Sequence, residues 1–277
     1  LTAGKQDNPL NGVSTLDLVI IQKHILGIKP FTSPFKLIAA DADNTGNVSA
    51  TDLITIRKLI LGIYADFPND QKSWRFPETN QTFTDMNHPF PYNEKISIYN
   101  MGALGMDNQE FMAVKIGDVN GTAIANSVTG PTDDDSNNIV TLEIDEAVFS
   151  KGSTVTVPVY AADLDKMIGF QNTFNFNTNA LEYVGIEAGA LHMTEDHVGQ
   201  YEAENGILTL SWNDFESVEI NPETVLFELN FKAKKNATLS DHVFLSSDIT
   251  KAEAYTEDLE IMDMRLNVRN AENTEFV

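Results

Sequence analysis

Asp41-Ala42-Asp43-Asn44-Thr45-Gly46-Asn47-Val48-Ser49-Ala50-Thr51-Asp52 is the stretch that decides how the first part of this chain is read. With Asp41 as position 1, side-chain oxygens fall at positions 1, 3, 5, 9 and 12 and a glycine falls at position 6. Hard oxygen donors at alternating positions wrap one cation, the glycine permits the sharp turn, and Asn47 can add its backbone carbonyl. Asp41, Asp43, Thr45, Asn47, Ser49 and Asp52 are therefore the candidate metal ligands. Three carboxylates suit Ca2+ better than Mg2+, because a flexible oxygen set is easier to assemble here than a strict octahedron. Thr45 stands where a carboxylate or amide is usual, and Asp52 is one methylene shorter than the usual glutamate. The same residues would also serve as a turn followed by a capping box.

Working outward, the stretch belongs to an internal repeat with a constant offset of 35 residues. Gly12-Val13-Ser14-Thr15-Leu16-Asp17-Leu18, running on to His24-Ile25-Leu26-Gly27, aligns with Asn47-Val48-Ser49-Ala50-Thr51-Asp52-Leu53, running on to Leu59-Ile60-Leu61-Gly62. In each copy a serine, an aspartate three places later, an apolar run and a glycine read as N-cap, helix and stop. Two helices of about three turns follow, with apolar residues on more than one stripe, so another surface has to cover the remainder.

The first repeat lacks the front half of a loop, since Gln6, Asn8 and Leu10 occupy positions 1, 3 and 5. Gly117-Asp118-Val119-Asn120-Gly121 looks like the missing half. A second, split ion site is expected from Asp118 and Asn120 together with Ser14, Asp17 and a carbonyl near Gly12; an Asx turn ending a strand is the alternative.

Between the helices and this segment, Ser73-Trp74-Arg75-Phe76, Lys95-Ile96-Ser97-Ile98 and Phe111 to Ile116 alternate like short strands, so residues 71–118 read as a β extension of a module spanning 1–121. Residues 122–137 read as a linker, with Gly-Pro, three consecutive aspartates and almost no large apolar side chain. Beyond it the period is two: Val155, Val157 and Val159; Phe170, Phe174 and Phe176; Leu208, Leu210 and Trp212; Val225, Phe227, Leu229 and Phe231. An antiparallel sandwich of eight or nine strands is expected over 138–270, followed by a tail at 271–277. The fold class is thus multidomain, α+β followed by all-β.

The net charge of −23 is unevenly shared: residues 1–125 hold 13 acidic and 10 basic side chains, leaving 28 and 8 for the rest. So acidic a second half repels phosphate backbones and anionic lipid, which argues against nucleic acid and membrane partners. The chain has no cysteine, so neither disulfides nor thiolate metal sites can staple it. No apolar run approaches the roughly 18–20 residues of a membrane span. Leu1, without a leader before it, reads as the start of a mature or excised segment.

The paired loop-helix units resemble a type I dockerin, with Asp-x-Asp-x-Thr-Gly-x-Val-Ser-x-x-Asp-Leu in the second. Together with Ser73-Trp74-Arg75-Phe76 and Gly117-Asp118-Val119-Asn120-Gly121, they look like the dockerin-like region of surface proteins exported by type IX secretion. The second half is similar to a cohesin, a jelly-roll sandwich, through Gly152 to Val159, Ile168 to Phe176, Ala180 to Val184 and Leu208 to Asn213. The resemblance implies EF-hand-like calcium loops and a secreted or cell-surface location. It also implies partner-binding positions at Thr15, Leu16, Gln22 and Lys23 in the first repeat and at Ala50, Thr51, Arg57 and Lys58 in the second. Lys23, Arg57 and Lys58 would face an acidic cohesin surface, either on another chain or within this one.

Signs of catalysis are sparse. His192, Glu195, Asp196 and His197 form a histidine and carboxylate cluster whose spacing is wrong for a zinc-protease helix. There is neither a Gly-x-Ser-x-Gly elbow nor a phosphate-cradling glycine loop. The expected function is a non-catalytic, calcium-stabilised assembly or adhesion protein that binds protein partners, with another copy of this chain among the candidates. The alternative is a carbohydrate-binding adhesin or accessory module of a polysaccharide-degrading system, with Trp74 and Trp212 available to stack on sugar.

Overall fold

A computed structural model describes residues 1–98, 109–125 and 138–269. Two units result: Leu1–Leu59 with Tyr64–Gly130, and Ile60–Ile63 with Pro131–Val277.

In the first unit both repeat helices form where the capping signals place them, as α1 (Thr15–Ile25) and α3 (Ala50–Ile60). The aspartate of each capping box reaches back to the serine ahead of the helix. Ser14 N donates to Asp17 Oδ2 at 2.9 Å and Ser49 N to Asp52 Oδ2 at 2.8 Å, giving an orphan helix-start donor its partner. Gly27 stops α1 at φ +71, a backbone that costs a glycine little. Leu18, Val19 and Ile21 of α1 and Ile56 and Leu59 of α3 are fully buried, each worth about 1.5–3 kcal/mol of hydrophobic stabilisation. Coverage of the apolar stripes is incomplete, since Leu26 and Ile54 are 52% and 51% exposed.

A third helix, α2 (Pro34–Ala40), lies between them and was not expected from the repeat. Pro34 occupies its first turn, where a missing N–H costs nothing, and Leu37, Ile38, Ala39 and Ala40 are buried. This helix delivers the chain directly into Asp41.

The β extension is slighter than its alternation suggested. β1 (Trp74–Arg75) pairs antiparallel with β2 (Val114–Lys115), and Glu78 bridges Phe111. Lys95 to Ile98 is not a strand; instead Ile96 exchanges backbone hydrogen bonds with Leu1. Ile116 N donates to Ser73 O at 3.0 Å and Gly117 N to Ala39 O at 2.8 Å, so β2 is fixed to α2 immediately before Asp118.

The second unit contains β3 (Ile139–Asp145), β4 (Val148–Phe149), β5 (Thr154–Ala162), β6 (Lys166–Phe176), β7 (Leu181–Ala188), β8 (Val198–Gly199), β9 (Ile207–Glu219), β10 (Phe227–Ala233), β11 (Ala237–Thr238), β12 (Val243–Ser246), β13 (Glu253–Tyr255) and β14 (Ile261–Arg269). These exceed the eight or nine expected because β4, β8, β11, β12 and β13 are short pieces. The main path runs β7-β10-β5-β3-β14-β13-β6-β9-β8, with β12 also on β6. It folds over on itself, for Phe170 of β6 stacks on Phe227 of β10 at 5.7 Å, and Phe176 of β6 packs on Phe231 of β10 at 5.2 Å. The alternating residues Val155, Val157, Val159, Leu208, Leu210, Trp212, Leu229 and Phe231 all enter this core. One expectation is corrected: the sandwich is not wholly antiparallel, since β14 runs parallel to β3 from Asp263 opposite Ile139 to Arg269 opposite Asp145. Parallel neighbours need a long crossover, and the rest of the domain lies between these two strands in sequence.

The linker boundary also moves. Thr122, Ala123 and Ile124 form specific bonds within the first unit, so a linker cannot begin at 122. Residues 126–137 of the expected linker, 99–108 of the β extension and 270–277, including the expected tail, lie outside the described residues.

Candidate metal centres

Asp41 ends α2, Asp43 lies two residues into the turn, and Asp52 is in the first turn of α3. Between these elements the loop doubles back at Gly46, where φ is +78. One ligand oxygen from each of Asp41, Asp43 and Asp52 lies within 4.8 Å of the others. Asp41 Oδ1 accepts from Thr45 N at 2.9 Å and Oδ2 from Gly46 N at 3.0 Å. Asp43 accepts from the hydroxyls of Thr45 and Thr51, both at 2.8 Å. Asp52 accepts from Asp43 N at 3.1 Å in addition to Ser49 N. Thr45 Oγ1 lies 3.4 Å from the Asn47 carbonyl, which brings that oxygen to the same centre.

Residues 69–75 support the loop from behind. Gln71 Nε2 donates to the Asp41 carbonyl at 2.7 Å and Asn69 Nδ2 to the Asp43 carbonyl at 2.8 Å. Arg75 holds Gln71 Oε1 at 2.8 Å while both Glu94 oxygens clamp its guanidinium, at 2.9 and 2.7 Å. Asn69, Gln71 and Arg75 carried no metal signal in the sequence, because they bind backbone and side-chain groups that only folding brings near.

Three carboxylates in so small a volume repel one another. Burial pushes the Asp52 carboxyl up to about 6, and repulsion from Asp43 and Asp41 adds to this against the backbone donors. Burial likewise raises Asp41. Burial also acts upward on Asp43, but the Thr45 and Thr51 hydroxyls outweigh it and hold that carboxyl below its usual range. Among the described residues no lysine or arginine forms an ion pair with any of the three. A divalent cation is the group whose chemistry fits this uncompensated oxygen set.

The residues expected to form a split site also come together, and most of their bonds repeat those of the intact loop; the bonds from Val119 N to Asp17 and from Gly121 N to Asp118 are additional, and the Thr51 hydroxyl bond to Asp43 has no counterpart. Asp118 takes the place of Asp41: Oδ1 accepts from Thr122 N at 3.3 Å and Oδ2 from Ala123 N at 2.8 Å. Asn120 takes the place of Asp43, accepting at Oδ1 from the Thr122 hydroxyl at 2.8 Å, as Asp43 does from Thr45. Thr122 Oγ1 lies 3.0 Å from the Gly12 carbonyl, as Thr45 does from Asn47 at 3.4 Å. Asp17 takes the place of Asp52: it accepts from Asn120 N at 3.3 Å and from Ser14 N and Oγ at 2.9 and 3.3 Å. The corresponding distances in the intact loop, from Asp43 N and from Ser49 N and Oγ to Asp52, are 3.1, 2.8 and 3.3 Å.

Burial pushes the Asp17 carboxyl up to about 7, and repulsion from Asp118 adds to it. The Lys115 ammonium, which feels both carboxylates, donates instead to the carbonyls of Pro9 and Ile116 at 2.6 and 3.2 Å. Sequence reasoning missed Thr122. The signal was present, since Asp118-Val119-Asn120-Gly121-Thr122 repeats Asp41-Ala42-Asp43-Asn44-Thr45 in its acid, its oxygen donor and its threonine.

The partner-binding positions fare unequally. Thr15 and Leu16 are buried, at 0% and 4% exposure, and cannot touch a partner: α1 turns them inward. Ala50 and Thr51 are exposed, whereas Gln22, Lys23, Arg57 and Lys58 are half-buried. Thr51 is also committed to Asp43. Trp74 and Trp212 are 4% and 2% exposed, which removes both from any sugar-stacking surface. Of the histidine cluster, Glu195 to His197 form a short turn in which Glu195 accepts from Ile186 N and His197 Nδ1 from Thr194 N, each at 3.1 Å.

Residues 140–264 match the family model described as "Cohesin domain". No curated protein matches the chain. Similar solved structures include the sixth cohesin from scaffoldin B of Acetivibrio cellulolyticus in complex with a Cel5 dockerin mutant, at 22% identity, 47% of this chain, 98% of that chain and a TM-score of 0.38. A non-cellulosomal cohesin from Archaeoglobus fulgidus gives 18%, 47%, 87% and 0.35. The OlpA cohesin–dockerin complex of Clostridium thermocellum gives 12%, 48%, 99% and 0.38. Among the described residues no helix is long and apolar enough to cross a membrane. Residues 140–264 of this chain are a cohesin domain, a non-catalytic module for protein–protein interaction.

Proposed function

We propose that this protein is a calcium-stabilised assembly or adhesion protein of the cell exterior, in which a dockerin-like first unit accompanies the cohesin domain. The observation that carries the calcium reading is the repetition of one hydrogen-bond pattern in two loops, one continuous and one assembled from residues 12–17 and 118–123. Asp41, Asp43, Thr45, Ser49, Asp52 and the Asn47 carbonyl would hold one Ca2+. Asp118, Asn120, Thr122, Ser14, Asp17 and the Gly12 carbonyl would hold the second. Bound calcium neutralises the carboxylates, and since the unfolded chain has no such site, its binding free energy becomes folding free energy. Calcium thereby replaces the disulfides that a chain without cysteine cannot form.

Protein partners are the expected ligands of both units, with Lys23, Arg57 and Lys58 offering positive charge to an acidic face; the strongly acidic second half makes another copy of this chain one such partner. Calorimetric titration of the calcium-stripped chain tests the metal reading: two ions per chain are expected, and a chain that takes up none overturns it. A pull-down comparing the wild type with a Lys23→Glu, Lys58→Glu variant tests the partner face. Undiminished capture by the variant counts against those residues.

A further inference from the structure

The bonds that join the two halves of the split loop continue beyond it. Lys5 Nζ donates to the Ala125 carbonyl at 2.6 Å, and Lys115 Nζ to the Pro9 carbonyl at 2.6 Å. Asn11 grips the backbone of Ile124 in both directions, Nδ2 to the carbonyl at 2.9 Å and Oδ1 from the N–H at 3.0 Å. Val119 N donates to Asp17 Oδ1 at 2.9 Å. At the centre of this seam, a Cβ on Gly12 would lie 2.4 Å from Ala123 N, and Gly12 has φ +73. The seam is therefore tightest where the continuous loop has its Gly46–Asn47 peptide bond.

We infer that the first unit is closed by a clasp made of its own two ends, and that the clasp and the start of α1 open as one event. Asp17 is the reason. One carboxylate oxygen takes the clasp donors Val119 N and Asn120 N, and the other caps α1 through Ser14 N. Separating residues 118–124 from residues 11–17 thus removes half of the partners that fix the Asp17 side chain, in a fully buried position.

In the continuous loop the equivalent donor, Asp43 N, is 9 residues from Asp52, whereas Asn120 is 103 residues from Asp17. From an unfolded chain the longer closure is about fortyfold less favourable, by the three-halves power of the length ratio. The additional bonds from Lys5, Asn11 and Lys115 offset that difference. The closure rests on these bonds alone; its dependence on calcium rests on the function proposed above.

Hydrogen exchange of the full chain, followed by mass spectrometry with saturating calcium and with chelator, tests the clasp. Asn11→Ala removes both bonds to Ile124 at an accessible site, and Gly12→Ala drives a methyl into Ala123. In each variant, with calcium present, exchange across 13–25 and across 112–125 is expected to rise together by about tenfold, while 41–60 stays within about twofold of the wild type. Should Gly12→Ala fail to fold, Asn11→Ala carries the test. The clasp is overturned if 112–125 opens while 13–25 keeps its protection, if 41–60 opens by the same factor, or if neither variant opens anything. If chelation changes exchange nowhere but the variants still open both segments together, the calcium reading fails and the clasp stands.

Discussion

Replacing Asp118 by alanine separates the two candidate centres, because that carboxylate belongs only to the split one. It removes one of the two carboxylates there and leaves the N–H groups of Gly121 and Ala123 without their acceptor, while Thr122 N keeps Asn120 Oδ1 at 3.1 Å. It also relieves Asp17 of the repulsion that helps to raise its carboxyl. In the metal-free protein these effects oppose each other, so the calcium-free melting point is a poor reporter. The calcium-dependent increment is the better one. At a free concentration about a hundredfold above the dissociation constant, each site adds about 2.7 kcal/mol to the folded state, so two sites add about 5. For a unit of this size, 1 kcal/mol moves the melting point by roughly 4 °C. Calcium should therefore raise the wild-type transition of the first unit by some tens of degrees at most, and Asp118→Ala should retain about half of that increment. Calorimetric stoichiometry should fall from two ions to one, with the remaining affinity that of the 41–52 loop; Asp41→Ala should remove the other ion. If Asp118→Ala leaves both the number of ions and their affinities unchanged, residues 118–122 do not bind metal and the equivalence of the two loops is structural only.

Asn69→Ala removes the amide that holds the Asp43 carbonyl; calcium affinity at the 41–52 loop is expected to weaken about three- to tenfold with the stoichiometry unchanged, and an unaltered titration curve would deny Asn69 its supporting role. Asp17 and Asp52 have folded-state pKa values raised to about 7 and about 6, so the unfolded chain ionises them first as pH rises; calcium-free stability should therefore increase as pH falls from about 7 towards 4. The calcium increment should move the other way, shrinking below about pH 6 as the ligands take up protons. Thermal melts at pH 5 and pH 8, with and without chelator, check both signs, and a calcium increment larger at pH 5 contradicts the argument. In the cohesin domain, Phe231 is fully buried and packs against Phe174, Phe176 and Tyr183; Phe231→Ala should cost about 3–5 kcal/mol, read from the urea midpoint, and a loss below 1 kcal/mol would mean that this side of the core repacks freely.

The repeat helices, the continuous loop and the strands of period two were legible in the sequence because each depends on residues close together in the chain. A capping box spans four residues, the 41–52 loop twelve, and a pleat two, so local spacing carries the information. Even the split site left a readable trace, for Ser14 and Asp17 keep their places in the repeat and Asp118 to Thr122 keep the acid, donor and threonine of Asp41 to Thr45. That those fragments meet is a different matter. It depends on β2 pairing with β1, on Gly117 reaching Ala39, and on Gly12 lacking a side chain where Ala123 passes.

Only the tertiary structure could turn Thr15 and Leu16 inward, place Asn69 and Gln71 behind the loop, or set β14 parallel to β3. Each of these is a contact between residues distant in sequence, where closure entropy is set against packing and backbone pairing summed over the whole unit. The amino-acid order determined which oxygens were available to an ion. The folded chain decided which of them face one another.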